Sequence, residues 1–217
     1  EEEIDNIISI IMSQPEVRVK SIFSHLAGSD ESKHNDFTNQ QVRLFKSLAG
    51  KLEEGLGYSV QKHILNSAGI ENFPEHQYDM VRLGIGVYGI SSSLNNLEPV
   101  GRLKTIITQI KNTPKDSSIG YSRSGFAEED VTIAVIPIGY ADGFSRSLSN
   151  GKGHVLVNGK LAPVIGNVCM DMTLINVTDI ECKEGDEVII FGPERPIADL
   201  AKEMCTISYE VMTSISE

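Results

Sequence analysis

The chain has 217 residues, which is enough for one large domain or two smaller ones. Its 30 acidic and 19 basic residues give a net charge of −11, which argues against a nucleic-acid partner because nucleic acids favour basic surfaces. No apolar run approaches the ~20 residues of a membrane-spanning helix, so we expect no membrane partner. Three scattered cysteines without a CxxC pair favour a reducing compartment, and we expect a cytoplasmic protein without a metal site.

The beginning of the chain is predicted to fold as a helix followed by a strand. Isoleucines recur at helical spacing over residues 1–13. The run from Val17 to Leu26 then predicts a strand, with His25 near its C-terminal end. Functional residues of parallel barrels lie at the carboxyl ends of the strands, so His25 is a candidate for stacking on a flat cofactor.

A long helix and two further strands are predicted next. The helix is expected to begin at Thr38, with a capping box completed by Gln41, and to end at Gly55. The apolar runs His63–Gly69 and Val81–Tyr88 then predict two strands. Strands that alternate with helices indicate βα units with a parallel sheet.

The pattern changes near Asn95–Val100, after which short strands replace helical periodicity. Asn158-Gly159 is a strong signal for a two-residue hairpin, and Ile197–Met204 is the one helix expected. A complete (β/α)₈ barrel takes ~250 residues. We therefore predict an α/β plus all-β chain, with a partial (β/α)₈ barrel over residues 1–97 and an antiparallel β domain over residues 98–217. The predicted strands of the second half are Leu103–Ile110, Val131–Ile138, His154–Val157, Ala162–Ile165, Thr173–Val177 and Glu187–Phe191.

The glycines from Gly84 to Gly89 match the G-x-G-x-x-G fingerprint of dinucleotide-binding proteins. That fingerprint needs a following helix and an acidic residue about 20 positions on, and residues 107–112 contain no acid. A nicotinamide site is therefore excluded. A loop that binds phosphate through bare backbone N–H groups remains possible.

Polar residues at the ends of the apolar runs suggest a binding site in the first half. Ser67 and the backbone N–H groups near Gly84 could hold a phosphate, and Arg82 could meet a ring nitrogen. The pattern alone leaves two alternatives open. Arg82 is as well explained by a surface cation, and His63 by a hydrogen-bonded histidine of the core.

Three tyrosines and a Met-Asp pair are candidates in the second half. Tyr121 and Tyr140 follow turns or strand ends, and Tyr209 lies near the end of the chain. Met170 and Asp171 lie in a loop. On pattern alone Tyr121 and Tyr140 could each be an ordinary turn aromatic, and Met170 is better explained by core packing.

Seven ordered blocks together resemble the alanine racemase family across nearly the whole chain. The blocks are SHLA, HILNSAG, VRLGIGVYG, IGYSR, IPIGYADG, GNVCMDM and ISYE. The resemblance implies an α/β barrel followed by a β domain, a pyridoxal 5'-phosphate cofactor, and interconversion of L-alanine and D-alanine, which supplies D-alanine for peptidoglycan. It also implies a homodimer in which the β domain of one subunit completes the active site of the other.

The resemblance assigns a role to each candidate residue. His25 resembles the ring beside the pyridine, Arg82 resembles the residue that faces the pyridine nitrogen, and His63 lies behind Arg82. Tyr121 resembles the catalytic tyrosine. The phosphate-binding group corresponds to Ser67, Gly84, Ile85 and Tyr209, and the substrate-binding group to Tyr140, Met170 and Asp171.

Two family segments have no counterpart in the chain. The segment with the Schiff-base lysine, valine-lysine-alanine-asparagine-alanine-tyrosine-glycine, is absent, and so is the arginine segment for the substrate carboxylate. We therefore expect the chain to correspond to the C-terminal part of a family member and to be inactive by itself. The alternatives are a serine or broad-specificity amino-acid racemase, and a non-catalytic fragment that acts in assembly.

Overall fold

The chain divides into two compact units, Glu1–Leu97 and Glu98–Glu217. The computed structural model describes residues 2–91 and 97–215. The change of pattern predicted near Asn95–Val100 lies partly on residues 92–96, outside the described residues. No helix within the described ranges has the length and apolar character needed to span a bilayer.

The first unit combines three helices with a pair of short parallel strands. Strands β1 (Ser21–Phe23) and β2 (Gln61–His63) pair in register, with Ser21 opposite Gln61 and Phe23 opposite His63. Single 3-10 turns cover Ser32–His34, Pro74–His76 and Ile85–Tyr88. The elements in chain order are α1 (Glu2–Met12), β1 (Ser21–Phe23), α2 (Asn35–Leu56), β2 (Gln61–His63) and α3 (Ser67–Asn72).

Helix α2 forms because its apolar residues recur on one face, which packs against the loops that follow the two strands. Val42 and Phe45 on this face join a buried cluster with Leu26, Ile64 and Leu65. Residues Leu52 and Leu56 extend the same face into a second cluster with helix α1. This packing sets the position of the segments that follow β1 and β2, where the candidate residues lie.

The predicted ends of helix α2 are wrong. The helix begins three residues before Thr38, which lies inside it and is fully buried, so Thr38 forms no capping box with Gln41. The helix ends at Leu56, because Gly57 adopts a left-handed conformation with φ of 73° that no other residue type adopts as easily. Residues 35–37, which form the turn before Thr38, are exposed, and the acidic Asp36 in this first turn suits the positive end of the helix.

The strands predicted in the first unit are also too long. The run Val17–Leu26 contains only the three residues of β1, and the run His63–Gly69 contributes only His63 to β2 before α3 begins. The run Val81–Tyr88 forms no strand and ends in a 3-10 turn. An apolar run is compatible with a strand, but a strand also needs a neighbour to pair with along its length.

The second unit is an antiparallel β structure, as predicted. Its elements are β3 (Leu103–Ile106), β4 (Gln109–Thr113), β5 (Ser118–Ile119), β6 (Gly125–Phe126), β7 (Val131–Ile136), β8 (His154–Val157), β9 (Lys160–Pro163), β10 (Thr173–Asn176), β11 (Glu187–Phe191), α4 (Ile197–Glu203) and α5 (Ser208–Ser214). Its sheets have the strand orders β10-β7-β4, β3-β11-β8-β9 and β5-β6, and every pair is antiparallel.

Several predicted elements of this unit are confirmed and others are corrected. The Asn158-Gly159 hairpin joins β8 to β9, with left-handed φ values of 48° and 79° at its two central residues. The predicted strand Leu103–Ile110 is instead two strands, β3 and β4, which belong to different sheets. Helix α5 is not predicted, because Val211 is its one buried residue among those described, and a single buried position gives no apolar repeat at helical spacing.

Candidate active site

An arginine and a histidine from two neighbouring segments meet beyond the end of strand β2. A terminal nitrogen of Arg82 lies 2.7 Å from Nδ1 of His63 and 3.1 Å from its carbonyl oxygen. The other terminal nitrogen lies 2.5 Å from the carbonyl oxygen of Ser24. These contacts fix the guanidinium plane against the ends of both strands, so Arg82 is not a freely solvated surface cation.

The imidazole of His63 is held in its neutral form. Burial lowers the pKa of His63, and the adjacent Arg82 cation lowers this pKa further. Since a guanidinium has only donors, Nδ1 of His63 must accept the hydrogen bond from Arg82. The proton of the neutral ring is therefore on Nε2, and the positive charge of the pair resides on Arg82.

Phe23 lies against both members of this pair. Its ring stacks on His63 with centroids 5.3 Å apart and an interplanar angle of 11°. The Cζ of Arg82 lies 5.2 Å from the centre of the same ring. Phe23 and His63 come together because they are opposite residues in the parallel β1–β2 register.

Ser67 collects backbone donors from the glycine-rich segment. Its Oγ accepts hydrogen bonds from the N–H of Gly84 at 2.9 Å and from the N–H of Gly86 at 3.2 Å. Because a hydroxyl has two lone pairs and one proton, two accepted bonds still leave its O–H as a donor. Ile85, buried between the two glycines, begins a 3-10 turn. The structure therefore brings together Ser67, Gly84 and Ile85.

His25 lies beside Arg82 and Asn66. Its Nδ1 is 3.4 Å from a terminal nitrogen of Arg82, and its Nε2 is 3.5 Å from the side-chain nitrogen of Asn66. Asn66 also caps helix α3, where its Oδ1 accepts from the N–H of Gly69 at 2.8 Å. The candidates His25, His63 and Arg82 are thus one contact group.

Two loops of the second unit bring Tyr140 next to Met170. The N–H of Tyr140 donates to the carbonyl of Cys169 at 2.9 Å, and the N–H of Ala141 donates to the carbonyl of Met170 at the same distance. A Cβ on Gly139 would lie 2.4 Å from each of these two carbonyl oxygens, so only glycine permits this approach. Tyr140 and Met170 are both exposed.

Tyr121 lies on a neighbouring loop of the same unit. Its carbonyl accepts a hydrogen bond from the side chain of Asn167 at 3.2 Å, which joins this loop to the loop that contains Met170 and Asp171. The side chain of Tyr121 is 74% exposed, so its hydroxyl can be reached from solvent. Ser122 and Arg123 have left-handed φ values of 59° and 52°, so the turn after Tyr121 is tight.

Tyr209 lies on helix α5, which is held close to the loop of Tyr140. The carbonyl of Gly143 accepts from the hydroxyl of Ser214, near the end of α5, at 3.4 Å. Asp171 is exposed and lies next to Met170. The second unit therefore collects Tyr121, Tyr140, Met170 and Tyr209 on connected loops and on one short helix.

Three contact residues were missed by the sequence analysis. Phe23 and Asn66 touch the His63–Arg82–His25 group, and Gln41 binds the backbone around His25. The signal for Asn66 was present, since Asn before Ser67 is a typical helix N-cap. Phe23 and Gln41 had no such signal, because their contacts depend on strand register and on helix packing.

Both units match domains of one family. Residues 1–92 match the alanine racemase N-terminal domain, and residues 100–217 match the alanine racemase C-terminal domain. The chain is 42% identical to alanine racemase 2 of Caldanaerobacter subterraneus subsp. tengcongensis, over 92% of this chain and 54% of that protein. It is 40% identical to alanine racemase of Clostridium tetani, over 100% of this chain and 58% of that protein.

Solved structures agree with the sequence relatives. An alanine racemase of Clostridium difficile in complex with cycloserine has a TM-score of 0.88 and 36% identity, covering 100% of this chain and 59% of that one. An alanine racemase of Bartonella henselae with covalently bound pyridoxal phosphate has a TM-score of 0.87 and 30% identity, covering 100% and 60%. The chain thus spans somewhat over half the length of these relatives, and it belongs to the alanine racemase family.

Proposed function

We propose that the protein containing this chain is a pyridoxal-phosphate-dependent alanine racemase that interconverts L-alanine and D-alanine. The observation that carries the proposal is the Arg82 guanidinium held against a neutral His63, close in the chain to the hydroxyl of Ser67 with its two backbone donors. Family membership supports the same activity. In this proposal residues 1–97 are the C-terminal part of the barrel, and residues 98–217 are the β domain.

The donor set around Ser67 fits a phosphate group. The O–H of Ser67 remains a donor after Oγ has accepted from Gly84 and Gly86. The N–H of Ile85, as the first residue of a 3-10 turn, has no acceptor within that turn. Phosphate oxygens accept such hydrogen bonds. We assign the O–H of Ser67 and the N–H of Ile85 to the phosphate of the cofactor, with Gly84 and Tyr209 as further phosphate-binding residues by family resemblance.

The position of Arg82 fits a ring nitrogen that accepts a hydrogen bond. Among the described residues, the hydrogen bonds of Arg82 are made by its two terminal nitrogens, which leaves Nε–H available to the ring nitrogen of the cofactor. Because a guanidinium does not give up its proton, Arg82 would keep a pyridine nitrogen unprotonated. His63 supports this role, since its neutral Nδ1 orients Arg82 without neutralising its charge.

The chemistry needs groups that move a proton at the Cα of alanine. Pyridoxal phosphate, when bound, supplies the sink for the electrons that this proton leaves behind. We assign the hydroxyl of Tyr121 to proton transfer on one face of the substrate. Tyr140 and the Met170–Asp171 loop are assigned to the substrate entry and carboxylate region, and the ring of His25 to stacking beside the pyridine.

We also infer a homodimer in which the β domain of one subunit completes the site of the other. The inference rests on the family, whose catalytic tyrosine acts across the subunit boundary. The exposure of Tyr121 and Met170 on connected loops of the second unit supports it, since residues that complete another subunit's site must be accessible.

The test is cofactor binding and turnover by the full-length protein and its variants. We expect the parent to form D-alanine from L-alanine only when pyridoxal phosphate is supplied, as measured by chiral chromatography. Replacing Ser67 with Ala removes a donor to the phosphate, and we expect it to raise the Kd of the cofactor about tenfold.

The matched control is Ser47→Ala, because Ser47 is exposed on helix α2 of the same unit. We expect this variant to bind the cofactor like the parent. Absence of cofactor-dependent D-alanine from the parent would refute the proposed activity. An unchanged cofactor Kd in Ser67→Ala would refute the assignment of the phosphate site.

A further inference from the structure

The segment His25–Ala27 follows strand β1, beyond the last residues that pair with β2. The β1–β2 pairing ends at Phe23 and His63, and the last backbone contact is a 3.4 Å hydrogen bond from Ser24 to His63. Within residues 2–91 and 97–215, no backbone-to-backbone hydrogen bond involves His25, Leu26 or Ala27. Side chains must therefore hold this segment in place.

Gln41 on helix α2 contacts this segment at two points. Its Oε1 accepts from the N–H of Ala27 at 3.0 Å, and its Nε2 donates to the carbonyl of His25 at 3.3 Å. The amide group therefore spans the segment as a clamp on the backbone on either side of Leu26. Val42, the next residue on α2, packs in the buried cluster that contains Leu26, so the helix brings Gln41 to a defined position.

The ring of His25 has only long contacts of its own. It is exposed, and its nitrogens lie 3.4 Å from Arg82 and 3.5 Å from Asn66, at the upper limit for hydrogen bonds. Asn66 adds one backbone contact to the segment, a 3.3 Å hydrogen bond to the carbonyl of Leu26. The shortest of the side-chain hydrogen bonds that hold residues 25–27 is the one made by Gln41 to Ala27.

We propose that Gln41 is a positioning residue, which holds the His25 ring in the place where the cofactor would stack on it. The effect of Gln41 on cofactor binding rests on the proposed function, because the role of His25 toward the cofactor is itself a proposal. The two hydrogen bonds of Gln41 can be tested without cofactor. We expect Gln41 to touch neither cofactor nor substrate and to act only through the backbone of residues 25–27.

The test compares Gln41→Met with Gln40→Met in the full-length protein. Methionine keeps the length of the side chain but removes both hydrogen bonds, and Gln40 is an exposed neighbour on the same helix.

The first measurement is the NMR spectrum of the histidine rings in the cofactor-free protein, in which the histidines are isotopically labelled. We expect Gln41→Met to shift and broaden the His25 signals while the His63 signals stay in place. A general loss of stability would lower the melting temperature without this selective change.

The second measurement is the cofactor Kd, which we expect to rise about tenfold in Gln41→Met and not in Gln40→Met. If Gln41→Met does not fold, Gln41→Glu replaces it. That variant keeps the acceptor for Ala27 but places an oxygen against the His25 carbonyl, so it should also shift the His25 signals.

Unchanged His25 signals in the folded variant would overturn the clamp. Selective shifts with an unchanged cofactor Kd would overturn the positioning role. If the unaltered full-length protein binds no cofactor at all, the proposed function and the positioning role are both refuted. The NMR signals of His25 still test the clamp in that case.

Discussion

Nδ1 of His63 accepts a hydrogen bond from Arg82 over 2.7 Å, which joins a neutral imidazole to a guanidinium at the end of strand β2. The neutral ring of His63 restricts the orientation of the Arg82 side chain without cancelling its positive charge. A carboxylate in place of His63 would orient Arg82 equally well but would compensate its charge. The pair therefore preserves a positive field at the point where we place the cofactor ring.

The lowered pKa of His63 predicts a pH-dependent stability. As pH falls below the ordinary histidine pKa of about 6.5, the unfolded chain binds a proton that the folded chain resists. The free energy of unfolding should therefore fall as the pH is lowered from about 6.5 to the pKa of His63 in the folded protein. Above a pH of about 6.5, His63 should make no pH-dependent contribution. The measurement is urea unfolding as a function of pH. His63→Asn keeps an acceptor for Arg82 without titrating, and its curve should be flatter; a parallel curve would contradict the assignment.

Replacing Arg82 with Met should raise the pKa of His63 only in part. Burial is the larger cause of the lowered pKa, and it remains when the cation is removed. The ring signals of His63 in an NMR titration measure this shift directly. A return of the pKa to the ordinary value in the folded variant would show that Arg82, rather than burial, dominates.

Replacing Arg82 with Glu in the full-length protein should change the rate and the products of its reaction with alanine. A carboxylate opposite the pyridine nitrogen favours its protonated form, which makes a stronger electron sink. We expect slower racemisation, new long-wavelength absorption with L-alanine, and more transamination by-product. A spectrum and rate identical to those of the parent would place Arg82 away from the cofactor.

Under the proposed function, Tyr121→Phe should remove one of the two proton-transfer groups of the full-length protein. Loss of an acid–base group costs on the order of 10² to 10⁴ in rate, while cofactor binding should persist. The effect should be specific for one direction of proton transfer, as read by exchange of solvent deuterium into each enantiomer. Tyr140→Phe is the matched control with a milder expected effect. Unchanged exchange in Tyr121→Phe, or the larger loss in Tyr140→Phe, would show that the tyrosines are wrongly assigned.

Two glycines of helix α2 should respond oppositely to alanine. Gly50 lies within the helix and Gly57 follows its end with φ of 73°, and a Cβ at either position meets no atom within 4 Å. Gly50→Ala should stabilise by about 0.5–1 kcal/mol through helix propensity, and Gly57→Ala should destabilise by about 1–2 kcal/mol through left-handed strain. Urea unfolding of both variants measures the difference. Changes of equal sign would contradict the structure at the end of α2.

The 217-residue chain by itself should form no D-alanine from L-alanine, even with added cofactor. No lysine in the chain lies in a segment like that of the family's Schiff-base lysine. Chiral chromatography of the product, with the full-length protein as the positive control, measures this. Cofactor-dependent D-alanine from the chain alone would mean that another lysine serves as the base.

Strand lengths show where sequence patterns were insufficient. The runs Val17–Leu26 and His63–Gly69 were both predicted as strands, but only Ser21–Phe23 and Gln61–His63 pair as strands. Pairing depends on a neighbour distant in the chain, and no local pattern reports where that neighbour ends. Helix α2 shows the same limit, since it begins at Asn35, three residues before the capping signal at Thr38.

The sequence by itself determined what is local in this protein. The order of the motifs, the antiparallel second half and the Asn158-Gly159 hairpin follow from residue types at short spacing, because turns and periodicity depend on neighbouring residues. Tertiary structure decided which candidates meet. Arg82 reaches the carbonyl of Ser24, 58 positions away, and Gln41 reaches His25 from a separate helix. Such contacts arise only after strands pair and the helix packs, because each depends on where two distant backbones come to lie.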